Sequence, residues 1–152
     1  MRHRKRGRKL GRNAAHRRAL ARNLAIGFIK QFGVSNREYV VTTRAKAKEY
    51  RPFIERLITL GRRALAEDIT PHRKLALRRR ALMLLPNKAA VKKLFEEIAP
   101  RYADRPGGYT RIIKTGSHRL GDGAQKVLLA YVPAERRRPG AAAVAPTVKT
   151  GE

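Results

Sequence analysis

The chain has 152 residues, a length that suits one compact domain with tails. Lys and Arg number 37 against 11 Asp and Glu, a formal net charge of +26, and 25 of the 37 cations are Arg. A compact protein with that imbalance repels itself, which implies a polyanionic partner; the absence of Cys excludes disulfides, thiolate nucleophiles and cysteine-held metals.

The first acidic residue is Glu38, and residues 1–37 carry 12 Lys and Arg. The opening run, with Arg2, His3, Arg4, Lys5, Arg6, Arg8, Lys9 and Arg12, has no apolar periodicity and two glycines. It cannot bury a core, so residues 1–13 read as a basic arm that becomes ordered along phosphates. A helix is predicted from about Ala14 to Phe32, with Asn13 as its cap and Gly33 just past its end. Leu20, Leu24, Phe28 and Phe32 recur every four residues beside Ala21 and Ala25, while Arg18 and Arg22 project from the opposite side. Ile26 and Ile29 lie off that stripe, so the second half of this helix is apolar nearly all round.

Tyr39-Val40-Val41-Thr42-Thr43 reads as a short strand. Thr43 is placed to cap a helix to about Leu65, with Ala47, Tyr50, Ile54, Leu57, Ile58 and Leu65 on its apolar face. Pro52 predicts a kink or a fresh start within it. Thr70-Pro71 opens a third helix through Leu75, Ala81, Leu82 and Leu85, ended by Pro86. Asn87 caps a fourth, with Val91, Leu94, Phe95 and Ile98 facing inward and Pro100 stopping it after Ala99. Tyr109 to Thr115 and Lys126 to Val132 are strand-like and joined by a glycine-rich loop, hence a hairpin. The order α-β-α-α-α-β-β gives the fold class α/β (α+β): a two-layer domain over residues 14–132 with a three-stranded mixed sheet packed on helices. Residues 133–152, rich in Ala, Pro, Gly and Arg, read as a disordered C-terminal extension.

The basic arm is the strongest functional signal; its bland alternative is a solvated tail. Gly107-Gly108-Tyr109-Thr110-Arg111, entered through Arg105, is a second candidate. Its glycines let backbone approach a phosphate, Tyr109 can stack on a base, and Arg111 with Lys114 can grip a backbone. An ordinary loop with Tyr109 in the core explains the same residues equally well. Arg78-Arg79-Arg80 is either an RNA contact or a solvated helix face.

Nothing supports catalysis. Glu67-Asp68 and Glu96-Glu97 are adjacent on helices and therefore point apart, and Lys92 and Lys93 are spaced to pair with the second couple. Ser35 and Ser117 lack a nucleophile-elbow setting, and neither His72 nor His118 has a recognisable catalytic partner. No cofactor and no metal are expected. No stretch approaches the ~20 apolar residues that span a bilayer. Arg22-Asn23 and Lys30-Gln31 also argue against a signal peptide around Leu24 to Ile29.

Several motifs in order carry a resemblance. Met1-Arg2-His3-Arg4, Gly7-Arg8-Lys9-Leu10, His16-Arg17 and Arg22-Asn23-Leu24 come first. Thr42-Thr43 with Ala45-Lys46-Ala47-Lys48-Glu49, then Leu57-Ile58-Thr59-Leu60, Gly107 to Ile112 and Gly121-Asp122 follow. From Met1 to about Val132 the chain resembles the bacterial large-subunit ribosomal protein seventeen family. The resemblance implies a cytoplasmic structural constituent of the large ribosomal subunit, bound to 23S rRNA near the peptide exit side. It further implies the large-subunit proteins numbered twenty-two and thirty-two as neighbours, and no membrane or small-molecule substrate. Carried over by motif, RNA contacts fall on Arg2 to Arg12, His16, Arg17, Arg22, Gly108, Tyr109 and Arg111. The end at Leu129-Ala130-Tyr131-Val132-Pro133 departs from the acidic finish common in the family. A DNA-binding helix-turn-helix protein, a basic amphipathic membrane anchor and an RNA-processing enzyme are the rival classes, each lacking its own signature.

Overall fold

The structure, a computed structural model, describes residues 7–34 and 37–133. Arg2 to Arg6 of the arm, Ser35 and the C-terminal extension from residue 134 lie outside the described residues.

Helix α1 (Ala14–Lys30) begins where Asn13 accepts the His16 amide at 2.8 Å, satisfying one of the orphan donors of the first turn. Its fully buried residues are Ala21, Ala25, Phe28 and Ile29, with Phe32 just beyond the end. Leu20 and Leu24 are only half-buried, so the inward stripe lies one position round from the expected one and takes in Ile29.

Strand β1 (Tyr39–Thr43) leads directly into α2 (Arg44–Arg63), the helix against which most of the molecule packs. Ala47, Tyr50, Ile54, Leu57 and Ile58 are buried as their spacing predicts, while Leu65 falls beyond the helix and is 40 % exposed. Helix α2 runs through Pro52 without a new start. Pro52 is exposed, so the helix passes it with its buried face intact. Thr43 and Thr70 occupy N-cap positions, but neither hydroxyl caps an amide.

Helix α3 (Pro71–Leu84) fully buries only Ala81, and Leu75 and Met83 remain exposed. Helix α4 (Lys88–Lys93) starts on Asn87, whose side chain accepts the Ala90 amide at 2.8 Å. It continues through a π-helical segment (Leu94–Ile98) into α5 (Ala99–Arg101). Pro100 therefore does not stop the helix. The Ala99 amide already reaches the Leu94 carbonyl, five residues back, and the widened turn leads into Pro100 at the first turn of α5.

Strands β2 (Thr110–His118) and β3 (Gln125–Tyr131) complete a sheet of order β1-β3-β2. Both pairings are antiparallel, with Tyr39 opposite Ala130 and Thr110 opposite Tyr131. The sheet expected as mixed is thus antiparallel throughout, because β3 enters between β1 and β2 and runs opposite to each.

Val127, Leu129 and Tyr131 alternate along β3 and point into the helices. There the Tyr131 ring stacks on Phe28 at 4.0 Å, meets Phe32 edge-on, and donates its hydroxyl to the Phe28 carbonyl at 3.3 Å. Tyr102 closes the other end, its hydroxyl donating to the Val132 carbonyl at 2.7 Å. Burial pushes the Tyr102 hydroxyl up to about 12, so it stays a neutral donor at physiological pH.

Candidate nucleic-acid interface

The root of the arm is fixed rather than loose. Residues 7–12 turn through Leu10 and Gly11, both in the left-handed region, and the Arg8 amide donates to Glu49 on α2 at 2.9 Å. Arg12 lays its guanidinium against the His16 ring at 2.7 Å, and Arg17 donates back to the Arg12 carbonyl at 2.7 Å. These bonds hold the side chains of Arg12 and Arg17 at the start of α1, half-buried, beside Tyr50 and Glu49. Arg8, Lys9, His16 and Arg18 are exposed around them.

The glycine loop is held by a second carboxylate on the same helix. Glu55 accepts the Tyr109 amide at 3.1 Å, the Thr110 amide at 3.0 Å and the Thr110 hydroxyl at 2.6 Å, with Arg51 alongside at 3.6 Å. Arg105 bends the loop entry by donating from Nε to the Gly107 carbonyl at 3.2 Å. Gly108, at φ +67°, is left exposed beside Lys48 and Arg51 in a shallow recess shared with Ile112. Lys48 and Arg51 are not among the contact candidates that the sequence supplies, where Lys48 stands only within the motif Ala45 to Glu49. A lysine and arginine three apart on one helix face were the available signal.

Tyr109 is corrected. Its ring is fully buried and lies 5.2 Å from that of Tyr102, so it belongs to the core and is not available to stack on a base. Arg22 is half-buried and donates from Nε to the Leu84 carbonyl at 3.3 Å, tying α1 to the end of α3. Arg111 and Lys114 are exposed on β2. Arg111, opposite Ala130, lies on the sheet face away from the helices, beside Tyr39 and Ile113. The Gly107–Arg111 motif is therefore divided, with Gly108 toward α2 and Arg111 on the outer face.

Within the Arg78-Arg79-Arg80 run, Arg78 sits 5.6 Å over the Phe95 ring and Arg80 lines a cavity of about 780 Å³ with Arg62, Arg63 and Arg73. Glu67, Asp68 and Asp104 line the same cavity, so its field is mixed. Lys92–Glu96 and Lys93–Glu97 pair at 4.0 and 3.7 Å as expected. Among the described residues no group of acidic or His side chains is placed to hold a metal, and no helix is long and apolar enough to cross a membrane.

The glycine loop and the arm are thus anchored along one helix of a small basic α+β domain. Comparison with known proteins gives the family. Residues 20–132 match the model of the family described as ribosomal protein L17. The chain is 44 % identical to the large ribosomal subunit protein bL17 of Syntrophotalea carbinolica, over 99 % of this chain and 90 % of that one. It is 45 % identical to the bL17 of Acidobacterium capsulatum, covering 90 % and 75 % of the two chains. To that of Bradyrhizobium diazoefficiens it is 47 % identical, covering 87 % and 84 %. The chain belongs to the ribosomal protein L17 family; it is a structural protein of the ribosome, not an enzyme.

Proposed function

We propose that this chain, as a constituent of the large ribosomal subunit, binds and stabilises 23S rRNA through the arm, the start of α1 and the glycine loop. The observation that carries the reading is the use of α2 as a common frame: Glu49 holds the arm's root and Glu55 holds the loop. Cations and an exposed glycine are thereby gathered along the stretch of α2 from Lys48 to Glu55. Arg8, Lys9 and Arg12 supply phosphate contacts, and Gly108 lets backbone approach a phosphate beside Lys48 and Arg51. A place near the peptide exit side, with proteins twenty-two and thirty-two as neighbours, rests on the family resemblance.

Sedimentation of tagged protein in lysate, with and without ribonuclease, tests the whole reading. Co-migration with the large subunit that ribonuclease abolishes is the expected result; migration with DNA or membrane would sink it. Crosslinking within intact subunits tests the neighbours, and links to other proteins alone would remove them.

Two comparisons resolve the interface. Replacing Arg8, Lys9 and Arg12 together by Ala is expected to make the dependence of log affinity on log salt shallower by about 0.7–0.9 for each phosphate that those cations neutralise. An unchanged slope would show that the arm's root touches no phosphate. Arg111→Glu is expected to weaken 23S rRNA binding more than Arg79→Glu, because Arg111 adjoins the anchored loop. Equal effects of the two in filter binding would deny Arg111 a privileged contact.

A further inference from the structure

The β2–β3 hairpin carries features that the body does not need. Every residue from Ile113 to Gly123 is exposed, and past Lys114 the hairpin runs beyond the last pairing with β1, Thr43 with Lys126, as a two-stranded ribbon. A two-stranded ribbon without a covering layer is only marginally stable in water. Here it is braced from within. Across the irregular stretch between Lys114 and His118, the Thr115 hydroxyl donates to the Lys126 carbonyl at 3.0 Å and lies 2.9 Å from the Ser117 hydroxyl.

At the tip, the Arg119 amide donates to the Ala124 carbonyl at 2.9 Å, and the Gly123 amide to the Arg119 carbonyl at 3.1 Å. Asp122 accepts from Arg119 Nε at 2.8 Å and from the Ala124 amide at 3.2 Å. Gly121 and Gly123 take the left-handed conformations that this closure requires. The result is a fixed turn that presents Leu120, 97 % exposed, at its apex.

A single exposed leucine on a surface is ordinary. Held at the end of a braced ribbon, it has a direction settled in advance, which lowers the ordering cost of a contact. The surrounding chemistry selects the partner. Lys114 and Lys126 stand on the two strands with His118 beyond them, and Thr115 and Ser117 add hydroxyls. The ribbon's one carboxylate, Asp122, is occupied by Arg119. A protein partner would favour a broader apolar patch; a polyanion with a groove favours cations flanking an apolar point.

We propose that the hairpin is a second RNA-binding element, laid in the wide, shallow minor groove of base-paired RNA with Leu120 packed against ribose and base edges. The lysines face phosphates and the hydroxyls meet 2′-hydroxyl groups. This rests on the rRNA reading above, but apart from Lys114 it uses none of the arm or glycine-loop contacts.

The test uses the full-length chain and 23S rRNA. Leu120→Ala removes almost no packing, so its thermal melt should match that of the parent. Its affinity should fall about tenfold, the scale of burying one aliphatic side chain. With a photo-crosslinking amino acid at position 120 of the chain in reconstituted subunits, links should form to rRNA. Parent-like affinity of Leu120→Ala, or links from position 120 to a protein alone, would overturn the inference while leaving the arm and loop intact. Failure of the parent chain to bind the rRNA would overturn the RNA reading as a whole, this element included.

Discussion

Glu38, Glu49, Glu55 and Asp122 each accept a backbone amide in a chain that has few carboxylates to deploy. Glu49 fixes the arm, Glu55 the glycine loop and Asp122 the hairpin tip. Glu38 receives Arg101 at 2.6 Å as well as the Gly33 amide, joining the end of α5 to the turn after α1. In a strongly basic molecule such acids serve as staples, holding cationic segments in place that would otherwise repel one another. Glu55 is the clearest case, because Thr110 is buried and two adjacent amides depend on one carboxylate. Glu55→Ala is expected to destabilise the isolated protein by about 2 kcal/mol, the scale of removing charge-assisted bonds to partly buried donors. Urea denaturation measures it, and a change below the error of that method would mean that water replaces the carboxylate without cost.

Between elements, α2 lies close against the π-helical segment and α5 at Gly61. A methyl group on Gly61 would meet the Ala99 Cβ at 3.0 Å and the Leu94 carbonyl at 3.4 Å. Neither atom is the end of a flexible side chain, so the two helices would have to separate. Gly61→Ala is expected to destabilise by about 1–2 kcal/mol despite the better helix propensity of Ala. Gly27, inside α1, meets nothing within 4 Å, so Gly27→Ala should stabilise by up to about 1 kcal/mol. Denaturation midpoints that moved in the same direction would show that propensity, not the crossing, decides at Gly61.

This contrast also separates what was legible in the sequence from what was not. The helices with Asn13 and Asn87 at their caps, the buried spacing along α2 and the hairpin announce themselves through neighbours three or four residues away, or through alternation. The π-helical segment does not, since no periodicity in the chain marks where a turn widens. The bonds from Glu49 to Arg8 and from Glu55 to Tyr109 span 41 and 54 residues, and no periodicity encodes them. Tyr109 was ambiguous for the same reason, because one aromatic residue after two glycines suits both a core and a stacking surface.

Across the whole molecule, one charge imbalance acts on two equilibria with opposite sign. The net charge of +26 opposes the compact state of the free protein. Of the described ion pairs, those at Arg51, Lys92, Lys93 and Arg119 are each more than 40 % exposed on at least one side. Such exposed pairs contribute little, roughly 0–1 kcal/mol each. Like-charge repulsion therefore outweighs ion pairing in the free chain. Added salt shortens the Debye length from about 30 Å at 0.01 M to about 8 Å at 0.15 M, which screens that repulsion. The same salt weakens RNA binding, because releasing counterions from phosphates into a saltier solution gains less entropy. The melting temperature of the free protein should therefore rise as NaCl goes from about 0.01 to about 0.15 M, over the range where its affinity for 23S rRNA falls. Thermal melts by circular dichroism, run beside filter binding in the same buffers, measure both. A melting temperature that fell with salt would mean that ion pairs such as Arg101–Glu38 dominate the free fold, and that the positive charge is already balanced without RNA.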